Sequence, residues 1–360
     1  MNVKNTLVLT MAALLALSAL ASAQTRVSGI IDRETRWKAE DGPFIVTGDL
    51  LITRRANLTI APGTQIIINS KDEGTANIEQ FDSADSGFIS IRVQGSITSV
   101  GRRNNPIIFE PEKSELTGFS WRGIILDGAD AQNTEIAFTE ISGATTGLTI
   151  RNTSPLIRNN AFENCNIGIH AIQGGTPRIH NNLITTCFTA GIKVERSNPQ
   201  ILNNLIVFNN NLGLWCDNTS RITFKHNCVF GNTDGNFLDC EPELGRMTRA
   251  VKGRDSTDNH GNIVADPVFV GSAAEARAAE LDVTLQTDSA KVKNTRLLNI
   301  PNLQFGTPPR KEPTTIGSEG RHLSKYSPCI NAGDPSGSFK NADGTRNTIG
   351  PSGGPDFATR

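Results

Sequence analysis

The chain has 360 residues, 35 of them basic and 36 acidic, for a net charge of −1. That balance supplies no basic field for nucleic acid and no polyanionic tail. With 20% charged and 37% hydrophobic residues, the chain is neither disordered nor a membrane bundle, and its length admits one long domain or two ordinary ones.

The N-terminus reads Met1-Asn-Val-Lys4, then runs apolar from Leu7 to Leu20 and ends in Ala21-Ser22-Ala23 before Gln24. A basic start, a short apolar stretch and small residues before a cut point describe a secretory signal peptide. The stretch is too short for a membrane span, and no second apolar run of spanning length follows. Residues 1–23 are therefore expected to be removed near Ala23, leaving a protein that is secreted, periplasmic or bound at the cell surface. Export matters for the six cysteines, Cys165, Cys187, Cys216, Cys228, Cys240 and Cys329. An even number permits disulfides, with 15 possible connectivities, while buried thiols acting as small apolar residues remain the alternative.

Downstream, Phe44–Ile52 and Leu58–Ile66 read as irregular early coils, continued by Val93–Ile97, Pro106–Phe109 and Trp121–Ile125. The polar stretch at 70–87 reads as a loop thrown out from one of them. A repeat then becomes plain. Ser154-Pro-Leu-Ile-Arg-Asn-Asn160, Thr176-Pro-Arg-Ile-His-Asn-Asn182 and Asn198-Pro-Gln-Ile-Leu-Asn-Asn204 lie 22 residues apart, with a degraded copy ending at His226-Asn227. Between them recur Gly147-Leu148, Gly168-Ile169, Gly191-Ile192 and Gly213-Leu214. Each unit holds three short β-branched runs between turn residues. Such a unit closes no core alone, so stacking at strand spacing makes three parallel sheets around one interior.

The chain holds 33 Asn, 17 of them between residues 151 and 236. Stacked coils place Asn160, Asn182, Asn204 and Asn227 in one ladder, each tolerating a left-handed turn and bonding the amide one coil away. The fold expected is all-β: a right-handed parallel β-helix, a three-sheet solenoid of about 22 residues per coil. It occupies 24–240, with irregular coils at 24–120 and regular ones at 121–240. Residues 241–360 form an irregular C-terminal wrap. There, Ser272-Ala-Ala-Glu275 opens a short helix to about Glu280, and Thr307–Pro313 reads as an extended connector.

The strings Val46-x-Gly48 through Ala61-Pro-Gly-Thr64, the Pro-x-Ile-x-Asn-Asn coils, Ala265–Phe269 and the tail Ser327–Pro335 with Asp343–Arg346 and Ile349-Gly350 carry a family likeness. The chain resembles the secreted bacterial right-handed β-helix repeat proteins of the pectate-lyase-like superfamily, which includes polysaccharide lyases and hydrolases. The resemblance implies that one sheet face with its flanking loops forms a sugar groove. Where the resembling tails read Asp-Ile-Gly, this one reads Thr348-Ile-Gly350.

Alternation along the strand after each Gly-Ile step turns Leu148, Ile150, Ile169, Ala171, Ile192, Val194, Leu214 and Cys216 inward. Thr149, Arg151, His170, Ile172, Lys193, Glu195, Trp215 and Asp217 then point out, with Asp127 extending the column. Two chemistries fit. A uronate lyase needs a cation to neutralise the substrate carboxylate and a base for the adjacent C–H proton. Arg151, or Ca²⁺ held by Glu195 and Asp217, could neutralise, and Lys193 or His170 could be the base. A glycosidase needs two carboxylates about the bond, and Glu195 and Asp217 could serve. Trp215 could stack on a sugar ring.

Equally, alternating charge along a ladder keeps an exposed face soluble, and Lys193 with Glu195 and Asp217 then forms a solvated ion network. The tetrad Asn232-Thr-Asp-Gly235 matches one polygalacturonase signature without its companions and reads as a turn. An apolar stripe at Leu183, Leu202, Leu205, Val207 and Phe208 calls for a cover, which the segment 241–330 is long enough to supply. The expected partner is an acidic polysaccharide or cell-surface glycan, bound by a monomer with no certain cofactor. A non-catalytic structural or adhesion module is the alternative.

Overall fold

A computed structural model of the chain describes residues 24–70, 88–112, 119–130, 132–248, 257–279 and 321–355. The stretch read as a signal peptide, the polar stretch from 71 to 87 and the connector Thr307–Pro313 lie outside the described residues.

The described chain winds into a parallel β-solenoid with three faces, and each complete turn contributes one strand to each face. The front face stacks Ser90–Val93, Gly123–Asp127, Thr146–Arg151, Ile167–Ile172, Ala190–Glu195, Leu212–Trp215 and Gly235–Leu238. The side face holds eight strands, from Thr35–Trp37 to Thr223–Lys225, and so counts eight turns. The back face runs from Gln65–Ile68 to Cys228–Phe230. The front and back faces are joined into one hydrogen-bonded sheet at the first turns. Phe44–Ile52 rounds a corner: Phe44–Val46 pairs with the back strand Gln65–Ile68, and Leu50–Ile52 with the front strand Ser90–Val93. Among the described residues, no helix is long and apolar enough to cross a membrane.

Inward positions pile into apolar stacks. Ile150, Ala171 and Val194 line the front, Ile157, Ile179 and Ile201 the side, and Phe162, Ile184 and Ile206 the back, all fully buried. Each large aliphatic side chain so buried contributes about 1.5–3 kcal/mol. The glycine opening each front strand is required by space. A Cβ on Gly168 would meet the carbonyl oxygen of Gly191 at 2.6 Å, and one on Gly191 would meet Asn209 and the Gly213 carbonyl at 2.9 Å.

Asparagine stitches the corner between side and back. The Asn160 amide nitrogen donates to Asn182 Oδ1 (3.0 Å), Asn182 to Asn204 Oδ1 (2.9 Å), Asn204 to Asn227 Oδ1 (3.0 Å), and Asn227 to Asn262 Oδ1 (3.2 Å). The expected ladder is present and extends one rung further, to Asn262, which donates to buried Asp258. One detail differs. The left-handed residue is the preceding one, Asn159, Asn181, Asn203 or His226, at φ 55, 54, 60 and 53°. The ladder asparagines themselves are not left-handed, because an inward amide leaves the chain reversal to its neighbour.

The chain beyond the last coil covers the back face. Leu183, Leu205 and Val207 are buried in a second apolar cluster with Ile263, Phe269, Cys329, Ala332 and Ile349. The expected cover therefore reaches past residue 330. Within it, residues 273–279 form a helix, and Ser272 Oγ accepts from the Glu275 N–H (3.1 Å). The tail also caps the left-handed column: Asn181 donates to the carbonyls of Thr348 and Gly350, and Asn159 to those of Pro351 and Gly353. Thr348 takes part through its hydroxyl, which accepts from the Asn331 N–H (3.3 Å).

Arg321 pins the start of this tail. Its guanidinium lies 2.6 Å from Glu140 and 2.7 Å from Glu163, whose pKa burial pushes above the usual carboxylate value. Removing the cation strands a buried carboxylate. Arg321→Met should cost about 2–4 kcal/mol in a urea titration, and Glu163→Gln added to it should recover much of the loss.

Candidate functional site

The front face places its outward residues in two registered columns. Arg92, Ile125, Thr149, His170, Lys193, Trp215 and Leu238 form the first. Asp127, Arg151, Ile172 and Glu195 form the second. The inward set, Leu148 to Cys216, is buried as alternation requires.

Glu195 lies at the centre. Its Oε1 is 3.0 Å from Lys193 Nζ and its Oε2 is 2.7 Å from His170 Nε2. Burial raises its pKa, but the bonds from Lys193 and His170 outweigh that and hold it below the usual glutamate value. Burial is also the main influence on His170 and lowers its pKa below 6.5. Glu195 opposes that shift, while Lys193 and Arg151 add to it. The imidazole is neutral at neutral pH. An ionised Glu195 can only accept, so His170 Nε2 carries the hydrogen and Nδ1 is left as the basic nitrogen.

Lys193 is held twice, with its ammonium 4.1 Å from the centroid of the Trp215 ring as well as paired to Glu195. That contact competes with a sugar for the same ring face. Arg151 stands differently. It neighbours Asp127 in register, but Asp127 is bound by Arg92, whose Nε donates at 3.0 Å. The Nε of Arg151 is buried with no hydrogen-bond partner. The strip from Arg92 to Glu195 thus sets three cations against two carboxylates, with one cation left over.

Asp217 is held by donors of a turn beyond the strand. The front ladder ends at Lys193–Trp215, and beyond it the chain turns. Asp217 accepts from the N–H groups of Arg196 (2.8 Å), Thr219 (3.2 Å) and Ser220 (2.8 Å) and from the Thr219 hydroxyl (2.8 Å). Burial is the largest single influence and raises its pKa, but the bonds together outweigh it and draw the value down to about 2. Sign follows direction: the stability Asp217 adds is complete above its ordinary value of 3.8 and lost as pH falls through about 2. Neither carboxylate is thus set to hold the proton that a glycosidase acid needs. Both named Ca²⁺ ligands are committed to protein donors, and among the described residues no three His, Cys, Asp or Glu gather as a metal site.

Arg92 is a front-face residue not read from the sequence, because its strand lacks the Gly-Ile step that fixed the later register. The tetrad at Asn232 is structural: Asn232 accepts from Asn209 (2.7 Å) in a second amide ladder. A polar recess of about 470 Å³ lies on the side face between Glu34, Arg55, Asn57 and Glu135, away from His170.

The family described as a pectate-lyase-like β-helix domain matches residues 29–158, and that described as a right-handed β-helix region matches residues 104–240. Two solved structures of the periplasmic alginate epimerase AlgG are similar to the chain. A single mutant is 17% identical, with 63% of this chain and 66% of that chain covered at a TM-score of 0.28. A double mutant is 15% identical, with 66% and 69% covered at a TM-score of 0.26. No curated protein matches the sequence.

Proposed function

We propose that this chain, a right-handed parallel β-helix repeat protein of the pectate-lyase-like kind, binds an acidic polysaccharide along its front face and cleaves it by β-elimination. The observation that carries the reading is Arg151. Its guanidinium is the cation left over when Arg92 pairs with Asp127 and Lys193 with Glu195, and it stands near an imidazole whose pKa burial lowers, placed to receive a carboxylate.

A uronate carboxylate on Arg151 would have its charge neutralised, which acidifies the neighbouring C–H. His170 Nδ1 takes that proton, the C–H electron pair becomes a C=C bond, and the bond to the leaving sugar oxygen breaks. The leaving oxygen then takes a proton, from the imidazolium or from water. Glu195 orients His170 and stabilises its charged form, so it is a positioning residue. Lys193, committed to Glu195 and Trp215, serves better as a fixed cation along the polymer than as the base. Trp215 offers its remaining surface to a sugar ring. Such polymers are met outside the cytoplasm, in keeping with the export expected from residues 1–23.

The test is a panel of uronate polymers, with and without Ca²⁺, followed by the ultraviolet absorbance of the unsaturated product. Absorbance should rise with at least one polymer. Since burial lowers the His170 pKa, the acid limb of the pH–rate profile should fall below 6.5. No product with any polymer would end the lyase reading. The saturation of Lys193, Glu195 and His170 by one another favours a second reading, a non-catalytic adhesion or matrix module. Polymer binding without product would select it.

A further inference from the structure

We propose that Cys216 with Cys240, and Cys228 with Cys329, form two disulfides in an oxidising compartment, while Cys165 and Cys187 stay as thiols. All six stand as thiols in the structure, and their surroundings divide them into three couples with different fates.

Cys216 Sγ and Cys240 Sγ are 2.9 Å apart, closer than two unbonded sulfur atoms rest. The two residues follow consecutive front strands, and the Cys216 N–H donates to the Leu238 carbonyl (3.0 Å). Cys240 is half-buried, so it can be reached by a disulfide donor. The bond would tie off the last turn of the front face.

Cys228 and Cys329 share the second apolar cluster, where the Cys228 thiol donates to the Ala265 carbonyl (3.3 Å). Cys228 belongs to the last back strand and Cys329 to the tail. Their bond would close a loop of about 100 residues and fix the cover over Leu183 and Leu205. Both sulfurs are fully buried, so the bond forms as the tail docks.

Cys165 and Cys187 already have another role. They sit on consecutive coils in the rungs that Asn209 and Asn232 occupy further along, each behind the front-strand glycine. The Cys187 N–H donates to Asn209 Oδ1 (3.0 Å), and each thiol turns to a carbonyl of its own coil, Cys165 to Glu163 (3.4 Å) and Cys187 to Thr185 (3.6 Å).

In each oxidation two thiols lose two protons and two electrons, and one S–S bond forms. The electrons reduce a disulfide donor, a small molecule or an oxidised protein dithiol, to two thiols. The test is peptide mapping of the full chain after equilibration with oxidised and reduced glutathione, unfolding and alkylation without reductant. Two alkylated cysteines, Cys165 and Cys187, and linked peptides 216–240 and 228–329 are expected. Six alkylated cysteines, a link that includes Cys165 or Cys187, or cross-pairing between the couples would overturn the proposal. One link without the other overturns the missing half. As a second readout, dithiothreitol should lower the thermal midpoint of the oxidised chain and leave a variant with Cys216, Cys240, Cys228 and Cys329 all changed to Ser unmoved.

Discussion

Asn182→Leu should lower the unfolding free energy by about 4 kcal/mol, although leucine keeps the branching of asparagine and the site is fully buried. The reason is the ladder. Asn182 Oδ1 accepts from the Asn160 N–H and from its amide nitrogen, both at 3.0 Å, and Asn182 Nδ2 donates to Ile157 O (3.1 Å) and Asn204 Oδ1 (2.9 Å). Leucine strands two donors and a carbonyl, each costing about 1–3 kcal/mol when buried. It recovers only about 1–2 kcal/mol of apolar burial. Asn204 Oδ1 keeps the Asn182 N–H (2.9 Å), so the damage stays on one coil. The check is a urea titration beside Asn210→Leu, an exposed asparagine whose replacement should change stability by under about 0.5 kcal/mol. Equal losses at the two sites would mean that the ladder does not stabilise the coils.

The repeat made the architecture legible because stacking turns sequence spacing into register. Asn160, Asn182 and Asn204 lie 22 residues apart and are neighbours in space. What periodicity did not separate was the division of labour within each Asn-Asn pair. The fourth copy held the clue: its first position is His226, left-handed at φ 53°, while Asn227 keeps the rung. A residue that varies between copies serves the turn, and one that persists serves the ladder. Alternation likewise placed Thr149, Arg151, His170, Ile172, Lys193, Glu195 and Trp215 on one face. Asp217 lies past the end of that strand at Trp215, where alternation no longer fixes direction. The run Asp217-Asn-Thr-Ser220 carries a turn signal that competes with strand continuation. The ion pairs were not legible at all. Whether Lys193 serves a substrate or Glu195 depends on side-chain geometry that spacing does not contain.

His170→Ala and Arg151→Ala should separate the two halves of the proposed reaction. If His170 is the base, its removal costs about 10²–10⁴ in the elimination rate while the polymer still binds, since the guanidinium and ammonium are untouched. Glu195→Gln should weaken the rate less, because the amide can still receive the Nε2 hydrogen while losing the charge that favours the imidazolium. The acid limb of the pH–rate profile should then move lower still, as Glu195 opposes the downward shift of His170. A merely structural role for Glu195 would leave that limb in place. Arg151→Ala should weaken binding as well as rate, by about tenfold each at low ionic strength. Arg151→Lys should restore binding better than rate, because an ammonium supplies charge without the paired donors that hold a carboxylate in one orientation. A fully active His170→Ala would remove the imidazole from the mechanism.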